Sequence, residues 1–215
     1  MSTEVLSDAQ VQETLPGWRV LYGRAFATFR TGSFMRGTEL VSGISELAEA
    51  AIHHPDVVLR YPSVGISLVS HDVGGLTSRD VDLATKISSL AADLGIEPDL
   101  TSPQVVEIAI DALHIPAVLP FWRAVLGYDG DDETGDLRDP RGTGPTVWFQ
   151  QMGGPRPQRN RIHLDIAVPH DVAEQRVAAA IEAGGRLVTD EYAPSWWVLS
   201  DVEGNEACVA TWQGR

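Results

Sequence analysis

The chain has 215 residues, 43% of them hydrophobic, and a formal net charge of −14 at pH 7. It can bury a core in one large or two small domains, whereas its negative surface disfavours nucleic acid and anionic membranes as partners. A single cysteine, Cys208, excludes an intrachain disulfide, and no apolar stretch approaches the length of a membrane helix. The single cysteine leads us to expect a cytoplasmic protein, and the first residues lack the pattern of a signal peptide.

The first half of the chain predicts the order helix, strand, strand, helix, strand, strand, helix. Ser7 and Gln10 have the spacing of a capping box at the start of the first helix. Two strands are predicted on either side of Gly23, and apolar residues at helical spacing then run towards Pro55, which stops the second helix. After two more strands, Thr77 is the predicted N-cap of the third helix.

The second half contains a weak internal repeat. Residues 98–103 combine proline with polar side chains and lack periodicity, so we expect a linker between domains at 1–97 and 104–215. Each of the two repeated units reads strand, helix, then two or three strands, and Asp171 with Glu174 predicts a capping box in the second. The predicted fold is therefore α+β, an αββαββα domain followed by a βαβββ-repeat domain.

Three of the six histidines lie in a short window of the first domain. His53 and His54 stand at the end of the second predicted helix, and His71 stands at the end of a predicted strand. The end of an element holds the backbone while the side chain faces a cleft. Because imidazole has an ordinary pKa of about 6.5, it can take and give protons near neutral pH. The pattern therefore indicates a general acid–base site.

This half of the chain resembles the pterin-4a-carbinolamine dehydratase family. The residues that carry the resemblance cover most of the first domain, to about residue 97. They are Trp18, Glu49, His53, His54, Pro55, Tyr61, His71 and the segment DVGGLTSRDVDLA at 72–84.

The resemblance implies an activity, loss of water from a 4a-hydroxytetrahydropterin to give the quinonoid dihydropterin. This reaction requires a general acid and a general base but no metal or redox cofactor. The implied catalytic residues are His53, His54 and His71, with Asp80 orienting or charging one of them. The implied substrate-binding residues are Trp18, Glu49, Pro55 and Ser70.

Other interpretations of these residues stay open. His53 and His54 could be helix-end residues favoured by the helix dipole, or the three histidines could bind zinc. Asp80 could serve only as a capping carboxylate in the first turn of its helix. Two positions depart from the family pattern: Val57 stands where an aromatic residue is frequent, and Ser70 replaces a common threonine.

The second half resembles the vicinal oxygen chelate superfamily, which includes glyoxalases and bleomycin-resistance proteins. The matching segments are VVEIAIDALHIPAVLPFWRAVLGY, RIHLDIAV and SDVEGNEACVA. In metal-dependent members of this superfamily, four strands each supply one ligand to a divalent ion, and the matching residues are Glu107, Gln150, His163 and Cys208. A thiol and a neutral amide suit a hard octahedral ion poorly, so a metal-free pocket is the alternative. Cys208 also fits a small buried strand residue.

Three functions are compatible with these resemblances. The first is a pterin carbinolamine dehydratase with an appended glyoxalase-like domain. The second is a non-catalytic dimerisation or assembly protein. The third is a small-molecule-binding or metal-dependent enzyme that acts through the second domain. For the dehydratase we expect a pterin as the small-molecule substrate and no cofactor. A divalent metal in the second domain belongs only to the third function. By analogy with proteins of these folds, we expect a homodimer or homotetramer.

Overall fold

The computed structural model describes two compact units, Met1–Val105 and Val106–Arg215. Within them, the described residues are 4–131, 134–155, 163–168, 171–211 and 213. Each unit has its own hydrophobic core. None of the helices in these ranges combines the length and the hydropathy needed to cross a bilayer.

The first unit has the predicted αββαββα order, followed by one additional short strand. Its elements are α1 (Asp8–Thr14), β1 (Arg19–Leu21), β2 (Arg24–Arg30), α2 (Phe34–Ala51), β3 (Asp56–Arg60), β4 (Ser63–Leu68), α3 (Ser78–Asp93) and β5 (Glu97–Pro98). The antiparallel sheet has the order β1-β2-β4-β3, and β5 pairs with the far end of β2. The α+β class is thereby confirmed for this unit.

Strand β5 changes the interpretation of the predicted linker. Pro98 pairs with Phe29, and the carboxylate of Asp99 lies 2.9 Å from the guanidinium of Arg30. The backbone N–H of Asp99 also donates to the carbonyl of Thr28 at 2.6 Å. The predicted linker at 98–103 therefore starts inside the sheet of the first unit. Pro98 is tolerated there because β5 is an edge strand, where a residue without an N–H group leaves no hydrogen bond of the sheet unmade.

Helix ends position the histidine window. The capping box of Ser7 and Gln10 is present, as predicted. Helix α2 ends at Ala51, and its C-cap residue, Ile52, adopts a left-handed conformation with φ of 50°. Residues branched at Cβ rarely adopt this conformation. The chain turns sharply there, so that the next residue, His53, is buried and His54 is exposed.

The core of the first unit lies between the sheet and helices α2 and α3. Strand β4 alternates as predicted, with Val64, Ile66 and Leu68 buried on the helix-facing side. Helix α3 contributes Leu83 and Ile87, which are 1% and 0% exposed. These contacts fix α3 on the sheet and thereby fix the start of the helix, where Asp80 lies.

The second unit consists of two βαβββ modules, as predicted. The first module contains β6 (Glu107–Ala112), α4 (Ile115–Leu126), β7 (Asp129–Gly130), β8 (Leu137–Arg138) and β9 (Thr146–Gln151). The second contains β10 (Leu164–Ala167), α5 (Ala173–Glu182), β11 (Arg186–Thr189), β12 (Trp196–Ser200) and β13 (Glu206–Ala210). The sheet orders are β6-β9-β8-β7 and β10-β13-β12-β11, and in each the first strand runs parallel to the last.

One capping prediction in the second unit is wrong. Helix α5 has Val172 at its N-cap, and no side chain caps it. The helix starts one residue later than Asp171 requires, so that Glu174 falls at its second residue and the predicted box does not form. Burial of Ala173, Val177 and Ala180 instead holds the helix in place.

We expect Ile87→Ala to lower the free energy of unfolding of the chain by about 2–4 kcal/mol, because it opens a cavity in the core of the first unit. The matched control is Ser89→Ala on the exposed side of the same helix, which should change it by less than about 0.5 kcal/mol. Urea unfolding followed by circular dichroism measures both. Equal losses in the two variants would contradict the packing of α3 described above.

Candidate active site

The carboxylate of Asp80 is the centre of a buried hydrogen-bond network. Its exposed fraction is 0%. One oxygen, Oδ2, accepts hydrogen bonds from the backbone N–H of Thr77 at 2.8 Å and from the hydroxyl of Ser70 at 2.7 Å. The other oxygen, Oδ1, lies 2.8 Å from Nε2 of His53. Asp80 therefore caps helix α3 and binds a histidine at the same time.

This network assigns a tautomer to His53. The carboxylate of Asp80 accepts hydrogen bonds from Ser70 and Thr77, and we assign it the acceptor role towards His53 as well, which puts the shared proton on Nε2. In the neutral imidazole, Nδ1 is then the nitrogen that holds the lone pair. His53 is 7% exposed, which restricts the ring to this orientation.

The other two histidines are exposed. His54 places Nε2 3.2 Å from the carboxylate of Glu49 on helix α2. His71 does not end a strand as predicted, because β4 ends at Leu68 and the chain makes only an isolated bridge from Ser70 to Gly75. His71 is instead the first residue of a turn, directly after the serine that binds Asp80.

The zinc interpretation of the three histidines does not fit this arrangement. In the described ranges, His53, His54 and His71 do not form a group whose ligand nitrogens all lie within 4.8 Å of one another. A tetrahedral zinc site needs its ligand atoms at about 2 Å from one ion. Ring nitrogens that are further apart than this are compatible with histidines that act on different atoms of a substrate.

A cavity of about 300 Å³ adjoins His53. Its lining residues come from the end of α2 and the first half of α3, and they are Ala50, Ala51, His53, Ser78, Arg79, Asp82, Leu83 and Lys86. Arg79 and Lys86 were not among the predicted site residues, although Arg79 belongs to the segment that carries the family resemblance.

Arg79 is held beside this cavity by an ion pair. Its guanidinium lies 2.5 Å from the carboxylate of Asp72, in the turn that follows His71. The hydrogen bond with Arg79 lowers the pKa of Asp72, and the same bond raises the pKa of Arg79. The pair therefore stays ionised near neutral pH and ties the turn to the start of α3.

Trp18 lies in a different part of the first unit. Its indole is buried, donates a hydrogen bond to the hydroxyl of Ser88 at 2.9 Å and packs edge-to-face on Phe29. It lines a separate cavity of about 380 Å³ whose lining contains no histidine. Ser88 is eight residues beyond Asp80, which is about 12 Å along α3. The structure therefore places Trp18 at a cavity other than the one beside His53, and its contact with a substrate stays a prediction. Pro55 is half-buried directly before β3.

The four metal-ligand candidates of the second unit are not all brought together. Glu107 and Gln150 are exposed on strands β6 and β9 of one sheet. His163 and Cys208 lie at the other sheet, where their ligand atoms group with a carboxylate oxygen of Asp165 within 4.8 Å. Sequence reasoning missed Asp165 as a ligand, although it is in phase with His163 two residues earlier.

Cys208 and the adjacent residues Trp196 and Trp197 lie on neighbouring strands of this second sheet. Burial raises the pKa of the Cys208 thiol to about 11, and hydrogen bonding to Asp165 adds to the effect. Trp197 packs against the core, whereas Trp196 stacks on Tyr192 with ring centroids 4.6 Å apart. The two tryptophans thus face opposite sides, as their adjacent positions in a strand predict.

Comparisons with known proteins match both halves of the chain. A family model described as pterin 4 alpha carbinolamine dehydratase matches residues 4–90, and one described as glyoxalase-like domain matches residues 107–210. A relative from Nocardia farcinica is 42% identical over 42% of this chain and 99% of its own length. One from Roseiflexus sp. is 43% identical over 40% of this chain and 95% of its own length. Both bear the name "Putative pterin-4-alpha-carbinolamine dehydratase".

Solved structures align with each half at low identity. A transcriptional coactivator/pterin dehydratase from Brucella melitensis is 22% identical with a TM-score of 0.39, covering 41% of this chain and 99% of its own. A glyoxalase I from Leishmania major is 13% identical with a TM-score of 0.41, covering 51% of this chain and 87% of its own. On the strength of its curated relatives, the chain belongs to the pterin-4-alpha-carbinolamine dehydratase family. In this member the dehydratase domain is followed by a glyoxalase-like domain.

We expect Asp80→Ala to lower the free energy of unfolding by about 3 kcal/mol, because the N–H of Thr77 and the hydroxyl of Ser70 lose a buried acceptor. Asp82→Ala, which removes an exposed carboxylate two residues further along α3, is the matched control and should cost less than about 0.5 kcal/mol. Urea unfolding of the full chain measures both. A small loss in Asp80→Ala would show that the network contributes little.

We expect the thiol of Cys208 to react slowly with iodoacetamide at neutral pH in the presence of a chelator. Since its pKa is about 11, the rate should rise about tenfold per pH unit up to about pH 10 without a plateau, as the thiolate fraction grows. Urea-unfolded protein should instead level off at lower pH, as an ordinary thiol does. A plateau near pH 9 in folded protein would contradict the burial of this side chain.

Proposed function

We propose that the first unit catalyses loss of water from a 4a-hydroxytetrahydropterin. The observation that carries the proposal is the pairing of His53 with the buried carboxylate of Asp80 beside a cavity of about 300 Å³. This volume lies at the lower end of the range for small-molecule sites. Membership of the dehydratase family supports a pterin as the substrate class, and the hydrogen bond that holds His53 supports a role of this residue in proton transfer.

Dehydration requires two proton transfers and no change of oxidation state. The C4a–O bond breaks with its electron pair on the leaving oxygen, a general acid protonates that oxygen, and a general base removes the proton from N5. The products are water and the quinonoid dihydropterin, so the reaction consumes no oxidant or reductant. Histidines can fill both roles near neutral pH.

His53 is suited to the role of the base. When Nδ1 accepts a proton, the ring becomes an imidazolium whose charge is balanced by Asp80 at 2.8 Å, as a buried carboxylate does for a catalytic histidine elsewhere. His54 and His71 are exposed, and we propose that both approach the bound substrate from the solvent side. We assign the protonation of the leaving hydroxyl to these two residues together.

We expect His53→Ala, His54→Ala and His71→Ala each to lower kcat/KM for carbinolamine dehydration by about 10²–10⁴-fold, the range of a lost general acid or base. The assay follows formation of the quinonoid dihydropterin by absorbance. His114→Ala, an exposed histidine of the second unit, is the matched control and should leave the rate unchanged. Full activity in all three variants would favour the non-catalytic assembly role instead.

A further inference from the structure

Three metal-ligating side chains meet on one sheet of the second unit. Asp165 on β10 is the register partner of Cys208 on β13. His163 directly precedes β10 and lies two residues before Asp165, so both side chains emerge on the same side of the strand. Nε2 of His163 is 3.6 Å from Oδ1 of Asp165, and the donor atoms of all three residues lie within 4.8 Å of one another.

The four-strand ligand set implied by the superfamily resemblance does not fit this geometry. Glu107 does not join the group formed by the described residues, and it pairs in register with Thr146 in the other sheet. Gln150 on that sheet would supply only a neutral amide. The carboxylate that meets His163 and Cys208 comes from their own sheet, as Asp165.

The chemistry of the observed group selects a particular class of ion. A thiolate is a soft ligand, and imidazole and carboxylate also bind borderline ions of the first transition row. Zn²⁺ accepts this mixture of sulfur, nitrogen and oxygen, whereas Mg²⁺ and Ca²⁺ require oxygen ligands. Three protein ligands also leave one tetrahedral position open, the arrangement found in zinc sites that bind a small molecule or water.

We propose that His163, Asp165 and Cys208 form a binding site for Zn²⁺ in the second unit. The site is reachable, because the side chains of His163 and Asp165 are 53% and 60% exposed. On binding, the Cys208 thiol forms its bond to zinc as a thiolate and releases one proton to solvent. The site lies outside the dehydratase residues and does not depend on the function proposed for the first unit.

The test uses Co²⁺ as a spectroscopic substitute for Zn²⁺ in the untagged, metal-free full chain. Because Cys208 is the only cysteine, a thiolate-to-cobalt charge-transfer band can arise from this residue alone. We expect the band to saturate at one Co²⁺ per chain and to disappear when Zn²⁺ is added. An excess of Mg²⁺ should leave it unchanged.

Co²⁺ binding by single-residue variants distinguishes this site from the four-strand ligand set that includes Glu107 and Gln150. His163→Gln and Asp165→Asn should each weaken Co²⁺ binding at least about tenfold. Glu107→Gln and His114→Gln should leave binding unchanged, and circular dichroism checks that every variant is folded. Absence of a sulfur band at stoichiometric Co²⁺ would overturn the proposal. So would a band that requires Glu107 and survives Asp165→Asn.

Discussion

The first unit depends on a carboxylate that is fully removed from water. Burying the charge of Asp80 is costly unless hydrogen bonds replace the lost hydration. Four donors do so: the N–H and the hydroxyl of Thr77, the hydroxyl of Ser70 and the ring of His53. These donors come from the start of α3, the segment after β4 and the end of α2, so one side chain joins three parts of the chain at the point where the histidines lie.

This arrangement gives Asp80 two roles that the sequence left as alternatives. The capping box with Thr77 is complete, and the second carboxylate oxygen is free to bind His53 because capping uses only Oδ2. A helix cap alone does not require burial, since exposed carboxylates cap helices equally well. Complete burial beside a cavity is therefore better explained by the orientation of His53 than by helix stability.

Local signals predicted much of the fold, and long-range geometry accounts for what they missed. The capping residues of α1 and α3, the alternation of β4 and the βαβββ modules follow from spacing along the chain. The turn that contains His71 and the indole contacts of Trp18 depend on tertiary packing, which no periodicity encodes. Asp165 was overlooked because its partner Cys208 is distant in sequence and is brought to it only by the pairing of β10 with β13.

The pairing of His53 with Asp80 can be read from the position of the proton on the imidazole ring of His53. Long-range ¹H–¹⁵N NMR of the full chain, at a pH where the ring is neutral, distinguishes the two tautomers. We expect a proton on Nε2, which lies 2.8 Å from Asp80, and a lone pair on Nδ1. A proton on Nδ1, or a His53 spectrum that is the same in Asp80→Asn as in the parent chain, would contradict it.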